Sequence, residues 1–157
     1  MMIRLASACA LVAALAAPAI AQTTATNSMD ILRQKIKADK KLVVSEYLEL
    51  SDAEGKTFWP VYDAYQKDLQ QINQRLVAAI KAYADAYNKG PVTNETAKKL
   101  LDESLAIDDA EAKLKSASVP KIMAVLPAMK AARYVQIENK IRAALRYELA
   151  AGIPLVE

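Results

Sequence analysis

One apolar seam limits what this chain can fold into. From Phe58 the sequence places Phe58, Tyr62, Tyr65, Leu69, Ile72, Leu76, Ile80, Tyr83 and Tyr87 at steps of three and four residues. A helix brings residues three and four apart onto one face, so this spacing predicts one long helix packed lengthwise on partner helices, in the manner of a coiled-coil seam. Its start is written just upstream. Ser51-Asp52-Ala53-Glu54 has the form of a capping box, with Leu50 placed to form half of a hydrophobic staple. Asn88-Lys89-Gly90-Pro91 ends it with a turn. A helix from Ser51 to Tyr87 is about 55 Å long at ~1.5 Å per residue.

The remainder also reads as helix. The chain has 157 residues with only three glycines, and no alternating apolar and polar run marks a strand. The spacing predicts a first helix over about Ser28 to Tyr47, burying Ile31, Leu32, Ile36, Val43, Val44 and Tyr47. A third, capped at Thr93 or Asn94, is expected to run to about Ser118 with a weaker stripe of Ala97, Leu100, Leu101, Leu105, Ile107 and Leu114 inward. Pro120 and Pro127 punctuate the next segment, so Val119 to Leu126 reads as a helix start or short helix. A fourth helix is expected from about Pro127 to Ala150, burying Met129, Tyr134, Ile137, Ile141, Leu145 and Leu149. The fold class is all-α: four elongated antiparallel helices, with a long second helix bent at Pro60, where the ring removes the bond to the Lys56 carbonyl.

The first 21 residues read as a secretory signal: Arg4, an uncharged apolar run, and Ala19-Ile20-Ala21 as a cleavage pattern. The exported chain would begin at Gln22, with residues 22–27 a loose polar lead and 28–157 a single helical domain, located in the periplasm. Cys9, the chain's one cysteine, lies within the signal, and no later run could span a membrane. Arg4 is the one charge before Ala21, so export changes the net charge from +3 to +2. That near balance gives no reason to expect a nucleic-acid partner.

Chemistry is hard to find. The chain has no histidine, which removes the commonest general base and metal ligand, and no cysteine beyond the signal. No phosphate-binding loop or nucleophile motif is present, so the sequence predicts neither an enzyme nor a cofactor or metal site. The acidic run from Asp102 to Glu111 reads as a solvated helix face paired with Lys98, Lys99, Lys113 and Lys115. Arg33, Lys37, Lys40 and Lys41 form a basic cluster on the first helix beside an apolar stripe, a candidate surface for binding acidic or unfolded polypeptides. Phe58-Trp59-Pro60, holding the chain's only phenylalanine and tryptophan, reads as an aromatic anchor at a bend, with a ligand-stacking platform as the alternative.

An exported, cysteine-poor helical chain with Leu50-Ser51-Asp52-Ala53-Glu54 resembles the Spy/CpxP family of periplasmic proteins, which carry two L-T-x-x-Q motifs. The first matches conservatively, with Ser for Thr and Glu for Gln. The second falls at Leu126-Pro127-Ala128-Met129-Lys130, where only the leucine matches. The resemblance implies a four-helix fold, often a homodimer forming a curved cradle. It implies ATP-independent chaperone (holdase) activity in envelope stress, on unfolded or envelope proteins. The alternative it implies is an adaptor that binds one specific envelope protein. Leu50, Ser51 and Glu54 are then structural, as cap and staple.

Overall fold

The structure, a computed structural model, describes residues 39–156. The expected signal sequence and 22–27 lead, Arg33, Lys37 and the start of the first expected helix lie outside the described residues. The described chain forms four α-helices: α1 (Lys40–Leu48), α2 (Asp52–Tyr87), α3 (Asn94–Met123) and α4 (Ala128–Gly152). The described residues contain no strand.

The starts of these helices obey local chemistry. Ser51 Oγ accepts the Glu54 amide at 3.3 Å and the Glu54 carboxylate accepts the Ser51 amide at 2.8 Å, completing the expected capping box. Thr93, and not Asn94, caps α3, accepting the Thr96 amide at 3.2 Å. Asp39 caps α1 through the Leu42 amide. Its backbone is extended (φ −163°, ψ 105°), so no continuous helix runs from Ser28 to Tyr47; a fresh one begins at Lys40. α1 buries Val43, Val44 and Leu48, while Tyr47 is exposed. The buried face is one position further round than the sequence suggests.

Neither internal proline stops its helix. α2 runs through Pro60, and α3 runs through Pro120 to Met123, so Val119 to Leu126 is the end of α3 rather than a separate element. The turn after it is held by Val125 and Leu126 amides bonding back to Ile122. Pro127 is the N-cap of α4 and, having no polar side chain, caps by backbone alone.

Cross-links fix the directions. Arg75 to Glu103 sets α2 antiparallel to α3. Asp108 to Arg146 and Lys115 to Asn139 set α3 antiparallel to α4. Gln66 to Glu138 and Asn73 to Arg142 set α4 parallel to α2. Lys40 to Glu138 at one end of α1, and Lys130 to the Glu49 carbonyl at the other, set α1 antiparallel to α4. The bundle is therefore up-down-up-down. α3 backs the gap between α2 and α4, and α1 closes the other side over half its length.

The core lies under α1. Phe58, Tyr62 and Tyr134 pack at ring-centroid distances of 5.1 to 6.1 Å, among Val43, Val44, Leu48, Ile122, Leu126, Ile137 and Ile141. Trp59 is half-buried at the margin of this core rather than inside it, edge-on to Phe58 and Tyr62 at 5.0 and 5.3 Å. Three further expectations are corrected. Leu101 and Leu105 are exposed because α3 buries Ile107 and half-buries Leu100 instead. Met129, in the first turn of α4, is 83% exposed. No helix of the described residues is long and apolar enough to cross a membrane.

Candidate polypeptide-binding trough

Beyond the N-terminus of α1 the gap between α2 and α4 stays open among the described residues. It forms a trough of about 270 Å³. Leu76, Ala79 and Ile80 of α2 make one wall, and Leu149 and Ala150 of α4 the other. Leu100, Ser104 and Ile107 of α3 make the floor. This is the distal half of the seam that defines α2. The seam residues Phe58, Tyr62, Tyr65 and Leu69 are buried, whereas Leu76, Ile80 and Tyr83 remain partly exposed. The same helical periodicity therefore makes a core at one end and a lined apolar channel at the other.

Both ends of the trough are pinned. At the outer end the Tyr83 hydroxyl donates to the Pro154 carbonyl at 3.0 Å, tying the C-terminal tail to α2. At the inner end Arg146 bonds Asp108 at 2.5 Å and Glu111 at 3.2 Å. Arg142 pairs with Glu111 and donates to Asn73 at 2.9 Å. Asp108 and Glu111 thus brace α3 against α4, whereas the sequence places them on a solvated face. Lys98–Asp102 and Lys113–Asp109 are the exposed pairs within α3 that the sequence does suggest. Among the described residues no cluster of His, Cys, Asp or Glu is placed to hold a metal.

The predicted basic cluster is divided. Arg33 and Lys37 lie outside the described residues. Lys40 is largely enclosed: its ammonium lies 2.8 Å from Glu138 and 2.9 Å from Gln66. Burial lowers its pKa, with Glu138 acting in the opposite sense. Lys41 bonds Asp63 at 2.8 Å and sits 5.0 Å from the Trp59 ring centre, a cation–π distance. Both lysines are engaged within the fold, Lys40 at the inner end of the α1 seat and Lys41 over the aromatic margin. Burial first, then the Glu138 charge, pushes the phenols of Tyr62 and Tyr134 up, and that of Tyr65 to about 12.

The two motif segments meet. Leu50 packs on the core and Leu126 is buried in it. Lys130 donates to the Glu54 carboxylate at 2.6 Å and to the Glu49 carbonyl at 2.9 Å. Glu49 is the one described non-glycine residue with positive φ, 50°. Lys130 therefore clamps the strained α1–α2 joint to the start of α4. The Lys130 bond, with those from Ser51, pulls the Glu54 carboxyl down to about 2. Sequence reasoning missed Lys130. The signal was available in the five-residue alignment of Leu50–Glu54 with Leu126–Lys130, whose last positions carry opposite charges.

Pro60 is exposed and lines a second recess of about 250 Å³ with Val61, Ala64 and Tyr65 opposite Ser118 and Lys121. Pro60 and Pro120 thus fall at the same level of the α2–α3 hairpin. Comparison with protein-family models, with curated proteins and with solved structures gave no match.

Proposed function

We propose that this protein binds apolar segments of other polypeptides, in the manner of an ATP-independent holdase in the periplasm. The observation that carries the reading is the trough: an apolar channel between three helices, open among the described residues and pinned at both ends. Such a channel fits side chains in an extended or helical segment without demanding one sequence. Histidine, the commonest general base, is absent from the chain.

The meeting of Leu50–Glu54 with Leu126–Lys130 supports a Spy/CpxP-like reading. The two segments behave as paired halves, with a leucine inward and a polar group across the joint in each. The signal sequence supports export. An adaptor that binds one envelope protein is the second reading, favoured by Lys41 stacked on half-buried Trp59, a polar and aromatic feature suited to a defined partner.

The test is aggregation suppression. The exported chain, without ATP, should slow aggregation of several unrelated unfolded proteins at near-equimolar ratio. Protection of none, with one tight partner recovered from the cell envelope, would replace the holdase with the adaptor.

A further inference from the structure

The two ties of the trough differ in kind. At the inner end Arg142 and Arg146 meet Asp108 and Glu111, and the Arg142–Glu111 pair is half-buried. Charge-assisted bonds sheltered from water are hard to part. At the outer end the tie is neutral and exposed: the Tyr83 hydroxyl donates to the Pro154 carbonyl at 3.0 Å. Water can replace such a bond at little cost.

Local chemistry sets the path of the segment this tie holds. Pro154 cannot continue α4, and it confines Ile153 before it to extended backbone (φ −100°, ψ 117°). The chain therefore leaves the helix axis and crosses toward α2, with Ile153 lining the trough. Gly152, exposed at the end of the helix, gives it a pivot. Leu155 and Val156 beyond the tie are exposed, so packing adds little to the hold. We propose that Ile153 to Val156 form a releasable strap that stands in for a client at the outer end of the trough and so regulates client binding.

The strap has the chemistry of the clients it would exclude. Ile153 offers an apolar side chain from extended backbone, and Pro154 offers a backbone carbonyl to Tyr83. An extended apolar segment of another polypeptide carries the same two groups and can take both places. Binding is then an exchange, in which Tyr83 donates to a client carbonyl in place of Pro154. The proposal rests on the trough as the binding site and adds its regulation.

Tyr83→Phe and Ile153→Ser test it in the full chain. Both positions are partly exposed, so melting should move little. Two probes are titrated: dye-labelled casein, an unfolded polypeptide, and anilinonaphthalene sulfonate, an apolar dye. Each variant should bind casein about five-fold more tightly, because the open trough is populated more often, and should brighten the dye several-fold. Adding Ile80→Glu to either variant should erase the gains, which places them in the trough. A dye gain alone, erased in the same way, upholds the strap and counts against a polypeptide as the occupant. Folded variants that leave both probes unchanged overturn the strap, as do gains that survive Ile80→Glu. Weaker binding by Ile153→Ser overturns it too, since Ile153 is then a wall of the site and not its gate.

Discussion

The Lys40 ammonium lies 2.8 Å from a Glu138 carboxylate whose side chain is 4% exposed, joining the first turn of α1 to the middle of α4. Gln66 of α2 bonds both partners, at 2.9 Å to Lys40 and 3.0 Å to Glu138, so three helices share one polar contact beneath the tyrosines. Breaking a buried pair strands a charge, whereas replacing both members can be neutral. Lys40→Met should therefore destabilise by about 3 kcal/mol, and Lys40→Met with Glu138→Leu should recover most of that loss. Denaturant titration of the two variants checks it; equal losses would show that the pair does not act as a unit.

Alkaline stability depends on the same cluster. Tyr62, Tyr65 and Tyr134 have phenols raised above their usual 10, so the folded chain holds protons that the unfolded chain releases. That stabilisation is complete below about pH 10 and is lost as pH rises through the folded-state values, the lowest being Tyr65 at about 12. Lys40, lowered by burial, pulls the other way but is one group against three. Melting temperature should fall steeply above pH 10, and Tyr134→Phe should make the fall shallower. An unchanged slope would remove Tyr134 from the cause.

At acid pH the sign reverses for Glu54. Its carboxyl is held at about 2, below its ordinary 4.5, first by the Lys130 hydrogen bond. The stability it contributes is present above pH 4.5 and is lost as pH falls toward 2. Glu54→Gln should flatten the pH dependence in that window, and Lys130→Met should do the same. If only one does, the clamp between α2 and α4 is not the source.

The cap itself makes a sharper prediction than the sequence allows. Ser51→Ala should lose about 1 kcal/mol. From sequence, Ser51→Asp reads as neutral, since Asp caps as well as Ser. In the structure Ser51 Oγ also donates to Glu54 at 2.9 Å, which a carboxylate cannot do. Ser51→Asp should therefore melt below the wild type at neutral pH, while Ser51→Asn stays close to it.

Trp59 is the residue that the sequence places least well. Its neighbours on the seam, Phe58 and Tyr62, are buried, but Trp59 lies about 100° round the helix from Phe58. Periodicity sets it beside the stripe without showing that α1 stops short of covering it. Trp59→Ala should lose about 2 kcal/mol, less than the ~3–5 typical of a fully buried aromatic. Acrylamide should quench its fluorescence partially. Full protection would restore it to the core.

The helices and the capping box were legible because both are local: spacing of three and four, and a Ser three residues before a Glu. What the sequence hid was pairing across helices. Asp108 and Glu111 look solvated on α3 alone, and only α4 brings Arg142 and Arg146 to them. Leu101 and Leu105 fit a stripe as well as Leu100 and Ile107 do, and the packing of α2 and α4 decides between them. Lys40 looks like part of a basic face until the fold brings Glu138, far along the chain, opposite it. Proline reads as punctuation at Pro120, although the packed hairpin carries α3 through it.

The most direct measurement compares client binding by the wild type with that of Ile80→Glu and Leu149→Glu, one substitution on each trough wall. Both sites are partly exposed, so folding should survive with a loss of about 1 kcal/mol or less, checked by melting. Fluorescence titration with an unfolded, labelled client should show affinity falling at least tenfold for each variant, while Met129→Glu, on an exposed site outside the trough, binds as the wild type does. Unchanged affinity in both wall variants, with folded chains, would contradict the trough as the site of binding.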